Sequence, residues 1–159
     1  MNLASKNYIS LITWVVILVL IGSIIGSLTK TEVNTWYSTL SRSPFTPPNY
    51  VFPIAWTILY IIIAICGFII WRQQSSRTLK IIKNLYMLQL ILNWSWTPLF
   101  FYYHLIGFSL ISLAVMDIIV VTIIFFSYNN IRSVSLLMIP YLLWLLFATY
   151  LNFYIWQYN

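Results

Sequence analysis

Long, nearly uncharged apolar runs follow one another along this chain, with only short polar breaks between them. A helix that crosses a bilayer needs about 20 mostly apolar residues, because each residue advances the helix by about 1.5 Å. Five runs meet that length, at approximately 8–28, 49–71, 81–103, 105–128 and 134–156. The sequence therefore predicts an all-α membrane protein with a single domain over residues 1–159, built as a bundle of five transmembrane helices.

Three of these runs need a further argument from length. Between Leu85 and Tyr128 the chain is apolar almost without a break, and one helix over that stretch would reach about 65 Å, about twice the hydrocarbon core. The chain must fold back, and the predicted turn is YYHLIG at 102–107.

The first run is longer than the core of a cleaved signal peptide, about 7–15 residues, and no A-x-A-like site follows it, so we expect it to be retained as a span.

Charged residues are too few here to cover a water-soluble domain. They occupy 6% of positions, against about 25% in soluble domains. Four of the eight basic residues, Arg72, Arg77, Lys80 and Lys83, fall in one segment between apolar runs, which is typical of the cytoplasmic side of a membrane protein. This placement argues against nucleic-acid binding in spite of the net charge of +6.

The same residues predict how the chain is oriented in the membrane. With five spans, Lys6, the basic segment 72–83 and Arg132 share one side, and Lys30 and Arg42 lie on the other. The side with more basic residues is expected to face the cytoplasm. The N-terminus is therefore predicted inside and the C-terminus outside, with the proline- and aromatic-rich loop after residue 36 on the outer side.

The chain holds few of the residues that metal binding or ordinary catalysis requires. Its only Cys and His are Cys66 and His104, and its only acids are Glu32 and Asp117. One subunit therefore lacks a disulfide, the ligands of a structural zinc site, a Ser-His-Asp triad and paired carboxylates. We expect no metal site, no required cofactor and no conventional catalytic constellation.

Aromatic side chains recur at helical spacing in three of the runs. Residues four apart lie on the same side of a helix. The three lines, which include an occasional polar residue, are Phe52, Trp56 and Tyr60; Asn93, Trp96 and Phe100; and Pro140, Trp144, Ala148, Asn152 and Trp156. Such stripes serve either helix–helix packing or the wall of an apolar pocket, and the spacing alone leaves both open.

Asp117 lies in the middle of the fourth run, in AVMDIIV. A bare carboxylate in hydrocarbon costs several kcal/mol, and no Lys or Arg lies in the middle of any run to pair with it, since Lys83 stands at the start of the third. The side chain is therefore either protonated or held by donors such as an indole N–H, a Tyr hydroxyl or an Asn amide. A functional acid and a structural hydrogen-bond hub both fit this position.

The segment after the first run combines stiffness with aromatic surface. Pro47 and Pro48 fix two φ angles, Asn49 can cap the helix that follows, and Pro53 is tolerated in the first turn of that helix. A stiff, aromatic, nearly uncharged loop is suited to closing an apolar pocket. Within the first run, the small residues of GSIIG at 22–26 can bring two helices together, either inside one bundle or between two copies of the chain.

Four segments of the chain resemble the TspO/MBR family, which comprises the tryptophan-rich sensory proteins and the mitochondrial translocator protein, or peripheral benzodiazepine receptor. They are WYSTLSRSPFTPPNYVFPIAWTILY (36–60), LNWSWTPLFF (92–101), AVMDIIV (114–120) and PYLLWLLFATYLNFYIW (140–156). The segments stand in the family's order and at its spacing, and the five-span count agrees. The resemblance covers nearly the whole chain.

The resemblance implies a five-helix bundle, usually a homodimer, with a pocket near the first loop. Family members bind porphyrins and other tetrapyrroles, benzodiazepine- or isoquinoline-type ligands and, in eukaryotes, sterols. We therefore expect a receptor for a porphyrin, a haem precursor or another planar apolar molecule, with a regulatory or stress-sensing role. The ligand-binding residues implied by motif are Tyr37, Pro47, Trp56, Tyr60, Asn93, Trp96, Trp144 and Ala148, and Asp117 is added for its place within a run.

Two other functions stay open beside binding. Some bacterial members of the family are reported to degrade porphyrin photochemically with two tryptophans, which by motif would be Trp56 and Trp144. Transport of tetrapyrroles or sterols is the other alternative, although the sterol-recognition pattern of animal members needs a basic residue where this chain has Gln157. We expect a bacterial membrane rather than the mitochondrial outer membrane.

Overall fold

The computed structural model describes residues 3–159, with side chains from residue 7 onward, and this part of the chain is helical without strands. Lys6, which contributed to the predicted orientation, has a side chain outside the described part. The elements in chain order are α1 (Leu3–Leu28), α2 (Lys30–Asn34), α3 (Trp36–Thr39), α4 (Val51–Trp71), α5 (Arg77–Thr97), a π-helical turn (Pro98–Tyr102), α6 (Ile106–Tyr128) and α7 (Arg132–Tyr158).

Four helices in the described part are long and apolar enough to cross a membrane. Their candidate spans are Asn7–Leu28, Val51–Trp71, Ile106–Tyr128 and Arg132–Tyr158. The predicted third span coincides with α5, which has 21 residues but is less apolar, because it begins with Arg77, Lys80 and Lys83 and buries Gln89 and Asn93. The predicted all-α membrane class is confirmed, whereas the count of five spans is not.

The predicted turn between the third and fourth runs is confirmed. The π-helical turn that follows α5 ends at Tyr102, and α6 begins at Ile106. Between them, His104 has a φ of 54°, in the left-handed region that non-glycine residues seldom adopt. This residue reverses the direction of the chain, so that α6 runs back along α5.

Two helix starts differ from the sequence-based prediction. The second span was placed from about Asn49, but α4 begins at Val51 after Tyr50, and no side chain caps it. The predicted cap by Asn49 is therefore wrong. The third span was placed from about residue 81, but α5 begins at Arg77 because the Oγ atom of Ser76 accepts a hydrogen bond of 3.1 Å from the backbone N–H of Leu79, which satisfies an otherwise unpaired donor of the first turn.

The connection between α1 and α4 is partly helical, which the sequence reading missed. It contains α2 and α3, and these lie against the turn that precedes α6. The ring of Trp36 stacks on His104 with centroids 3.9 Å apart, and the carboxylate of Glu32 lies 3.3 Å from His104 Nε2. These contacts hold α2 and α3 across one end of the bundle.

The bundle is centred on α4, α5, α6 and α7, with α1 at its edge. Helix α7 packs against α4 and α6, α6 packs against α5, and α1 packs mainly against α4. Gly22 permits the close approach of α1, because a Cβ atom there would lie 2.1 Å from the ring of Tyr60. The remaining surface of α1 is largely exposed and apolar, as expected for a helix that faces lipid.

Candidate ligand-binding site

A cavity of about 590 Å³ lies at the end of the bundle that α2 and α3 cover. Its walls come from α1, α2, α3, α4, the end of α5 with the following π-helical turn, and α7, whereas no residue of α6 lines it. The volume is within the range of about 300–1,000 Å³ that small-molecule sites occupy. The cavity is therefore large enough for a ligand of drug size.

Aromatic side chains form much of the wall. From α4 come Phe52, Trp56 and Tyr60; from α5 and the π-helical turn, Trp96, Phe100 and Phe101; from α3, Tyr37; and from α7, Trp144 and Phe147. Neighbouring rings contact one another: the centroids of Trp56 and Tyr60 are 5.8 Å apart, and Trp144 meets Phe52 edge-on at 6.2 Å. Each of the three stripes read from the sequence thus contributes to one cavity, although Pro140 and Trp156 of the third stripe do not line it.

Most of the residues expected to bind a ligand line this cavity. They are Tyr37, Trp56, Tyr60, Asn93, Trp96, Trp144 and Ala148. Pro47 and Asp117 do not line it. Contact of any of these residues with a ligand stays a prediction, and the geometry brings seven of the nine together.

Pro47 lies in a shallow depression formed within the loop that precedes α4, together with Arg42 and Ser43. The loop is fastened to α7, because the hydroxyls of Ser43 and Tyr150 lie 2.9 Å apart within hydrogen-bond distance. A second fastening joins Ser41 to Asn159, whose side chain contacts both the N–H and the C=O of Ser41, at 2.9 and 3.2 Å. Pro47 therefore belongs to the packing of the loop rather than to the cavity wall.

Asp117 lies between α6 and α7, away from the cavity. The hydroxyl of Thr149 donates a hydrogen bond of 2.7 Å to Asp117 Oδ2, and Oδ1 has no partner in the described part of the chain. The donor is thus a threonine hydroxyl, not an indole, phenol or carboxamide. Asp117 joins two neighbouring helices, which is the geometry of a structural hydrogen bond.

A chain of buried hydrogen bonds passes behind the aromatic wall. Tyr60 donates to Asn93 Oδ1 at 2.7 Å, Asn93 Nδ2 donates to the Tyr141 hydroxyl at 3.0 Å, and Tyr141 donates to Gln89 Oε1 at 2.8 Å. This network joins α4, α5 and α7. Because the polar atoms of Tyr60 and Asn93 are hydrogen-bonded to protein atoms, these residues shape the cavity wall but offer a ligand few free hydrogen-bonding groups.

Two tryptophans of the cavity wall keep unused hydrogen-bonding capacity. The Nε1 atoms of Trp96 and Trp144 are buried and have no partner among the described residues. A buried donor without a partner costs free energy that a hydrogen bond would recover. Since these two nitrogen atoms are closed to water-sized groups, the indoles present ring carbons rather than N–H groups to the cavity.

Tyr37 brings a neutral phenol to the cavity from α3, outside the spanning helices. Burial raises the pKa of Tyr37, and the nearby Arg42 guanidinium partly opposes that rise. The guanidinium lies 5.3 Å from the centroid of the Tyr37 ring. Arg42 thus covers the outer face of this ring but does not line the cavity.

The sequence reading missed several lining residues. On α7 it missed Phe147 and Leu151, which stand three and seven positions after Trp144 and so share its helix face. On α1 and α2 it missed the small face Ser23, Gly26 and Ser27 and the polar pair Lys30 and Asn34. The GSIIG pattern was the available signal for α1, but nothing in the sequence marked α2 as a helix.

Comparison with known proteins agrees with this architecture. The model of the TspO/MBR family matches residues 14–157. The chain is 35% identical over 153 residues to the tryptophan-rich protein TspO of Archaeoglobus fulgidus, covering 96% of this chain and 99% of that protein. It is 31% identical over 142 residues to the translocator protein of Bos taurus (87% and 84% covered), and 31% identical over 128 residues to the tryptophan-rich sensory protein of Cereibacter sphaeroides (80% and 78% covered).

Proposed function

The chain belongs to the TspO/MBR family of multi-pass integral membrane proteins, and from this premise we propose that it is a receptor for flat apolar ligands, with porphyrins and other tetrapyrroles as the best-suited class. The observation that carries the proposal is the meeting of three aromatic stripes at one cavity of about 590 Å³. A regulatory or sensing role accords with the name of one relative, the tryptophan-rich sensory protein.

The aromatic side chains of the cavity wall suit a planar ligand. A tetrapyrrole has a wide π-face, and each aromatic pair contributes about 0.5–1.5 kcal/mol beyond the burial of its area. Trp56, Trp96 and Trp144 supply such faces. Binding of this kind needs no metal or cofactor from the protein.

Helix α5 is part of the proposed membrane bundle as its fifth span. With 21 residues it is about 30 Å long, enough to cross the hydrocarbon core, and it packs between α4 and α6. Its buried amides, Gln89 and Asn93, bond to Tyr141 of α7, so these polar side chains are hydrogen-bonded inside the bundle and do not face lipid.

Five spans would place the N-terminus inside and the C-terminus outside. We also propose that the protein is a homodimer in a bacterial membrane.

The test is a titration of the detergent-solubilised protein with protoporphyrin IX, followed by tryptophan fluorescence and porphyrin absorbance. We expect the double variant Trp56→Leu/Trp144→Leu to weaken binding at least about 10-fold, because two stacking faces are lost. The matched control Trp71→Leu/Trp156→Leu also removes two indoles, but neither lines the cavity. It should bind within about 2-fold of wild type. Unchanged affinity in the first double variant would overturn the assignment of this cavity.

A second candidate function is light-dependent breakdown of the bound porphyrin by dioxygen, which would be the oxidant. The observation in its favour is that Trp56 and Trp144 line the same cavity, where both could exchange electrons with an excited ligand. Since no Asp, Glu, His or Cys of the described residues lines the cavity, the photochemistry would be that of the ligand. Porphyrin loss under illumination should be slower with Trp144→Phe than with wild type, and equal rates in the two proteins would exclude this function.

A further inference from the structure

Four acidic or basic side chains lie near the covered end of the cavity, and three of them contact other protein groups outside it. Glu32 and His104 contact each other at 3.3 Å. The guanidinium of Arg42 lies over the outer face of Tyr37, in the separate depression of the loop. Lys30 is the one that lines the cavity among the described residues, and it has neither an ion pair nor a hydrogen bond within that part of the chain.

The helical geometry of α2 explains why Lys30 lines the cavity whereas Glu32 contacts His104. Lys30, Val33, Asn34 and Tyr37 all line the cavity. Within α2, Val33 and Asn34 stand three and four residues after Lys30, as expected for one side of a helix, and Tyr37 follows in α3 after the break at Thr35. Glu32 stands two positions after Lys30, where a helix turns its side chain away, and it meets His104 instead. The backbone therefore directs the ammonium group and the carboxylate to different partners.

The other polar groups around the cavity are largely occupied by protein atoms. Tyr60 and Asn93 bond to each other, and Asn152 Nδ2 donates to Ser109 Oγ at 3.1 Å. The hydroxyl of Ser27 donates to the backbone C=O of Ile24 at 2.7 Å. What remains for the edge of a ligand is one exposed cation, Lys30, beside the exposed amides of Asn34 and Asn49, in a chamber whose lining is otherwise mostly apolar.

We propose that Lys30 is a specificity-determining residue of this cavity, selecting flat apolar ligands that carry a carboxylate at one edge over neutral ligands of the same shape. This inference rests on the proposed function of the cavity. The apolar stem of a lysine lies easily against a cavity wall while its ammonium group stays near water. There it can donate a charge-assisted hydrogen bond to a carboxylate, with Asn34 one helical turn away on the same face of α2.

The experiment compares two probes of the same ring system, protoporphyrin IX, which has two carboxylates, and its dimethyl ester, which has none. Each is titrated into wild type, Lys30→Gln, Lys30→Arg and Arg42→Gln in the same detergent. The control Arg42→Gln removes one positive charge at the same end of the bundle but outside the cavity. It therefore separates a specific contact from a general change in the electrostatic potential.

We expect Lys30→Gln to weaken binding of the acid about 3- to 10-fold, as for a partly exposed charged contact, and to leave the ester within about 2-fold of wild type. Lys30→Arg and Arg42→Gln should bind both probes as wild type does. Added salt should weaken binding of the acid to wild type more than to Lys30→Gln, because an exposed ion pair is screened.

Three results would overturn the inference while leaving the proposed function intact. They are an equal loss for both probes in Lys30→Gln, which would indicate packing; no loss for either; and the same loss in Arg42→Gln, which would indicate a general field effect. If wild type binds neither probe, the proposed function fails, and the role of Lys30 fails with it.

Discussion

The hydroxyl group of Tyr60 donates a hydrogen bond of 2.7 Å to the side-chain oxygen of Asn93, which links α4 to α5 immediately behind the cavity wall. Both residues were expected from the sequence to contact a ligand. Their polar atoms instead serve the bundle, because each is buried and bonded to another helix. We therefore expect this pair to stabilise the packing of α4 against α5 behind the cavity, and its loss to lower the stability of the protein.

Tyr60→Phe should lower the free energy of unfolding in detergent by about 1–2 kcal/mol, because Asn93 Oδ1 would be left buried without its donor. The matched control is Tyr50→Phe, since Tyr50 also lines the cavity but is 68% exposed and should lose no stability. Denaturant unfolding followed by circular dichroism would measure both changes. Equal stability of Tyr60→Phe and wild type would contradict the role given to this hydrogen bond.

Gly22→Ala should destabilise the protein, whereas Gly26→Ala should not. A Cβ atom at Gly22 would lie 2.1 Å from the Tyr60 ring, while at Gly26 it would meet nothing within 4 Å. Overpacking costs about 1–3 kcal/mol, which exceeds the gain of about 1 kcal/mol from replacing glycine by alanine in a helix. Thermal unfolding of the two variants would compare them, and a loss of stability in Gly26→Ala alone would show that the second glycine, not the first, mediates close packing.

Thr149→Val should destabilise the protein by about 1–3 kcal/mol, because the carboxyl group of Asp117 would lose the only donor that it has in the described part of the chain. Thr122→Val is the control, since its hydroxyl bonds only to the carbonyl of Ile118 in its own helix and is exposed. Denaturant unfolding would measure both.

Asp117→Asn should leave the affinity for protoporphyrin IX within about 2-fold of wild type, since Asp117 does not line the cavity. A fluorescence titration of the purified variant would check this. A loss of affinity at unchanged stability would indicate that Asp117 belongs to the ligand-binding site, as the sequence predicts.

Tyr150→Phe should accelerate cleavage by trypsin after Arg42, because the contact between Tyr150 and Ser43 at 2.9 Å fastens the loop to α7. The loop would open more often once this hydrogen bond is lost, and proteolysis follows the population of open conformations. Tyr102→Phe, which changes an exposed tyrosine at the turn before α6, should leave the rate unchanged. Mass spectrometry of the fragments would identify the site, and equal rates in Tyr150→Phe and wild type would rule out this fastening.

The features that the sequence determined by itself are those that depend on local spacing. Runs of about 20 apolar residues require spanning helices, and a period of four places Phe52, Trp56 and Tyr60 on one face regardless of what packs against it. Length alone required a turn between Leu85 and Tyr128, since no bilayer is thick enough for one helix over that stretch, and His104 and Gly107 placed it at 102–107. These arguments need no knowledge of which helix lies beside which.

The tertiary structure decided which side chains became partners. Asp117 and Thr149 are 32 residues apart, and Tyr60 and Asn93 are 33 apart, so their contacts depend on how α4, α5, α6 and α7 are rotated and paired. The same holds for Lys30 and Glu32 of the short α2, since Lys30 lines the cavity while Glu32 contacts His104, which is 72 residues further along the chain. Spacing along the chain fixes the face on which a residue lies, but the packing of helices fixes what that face meets.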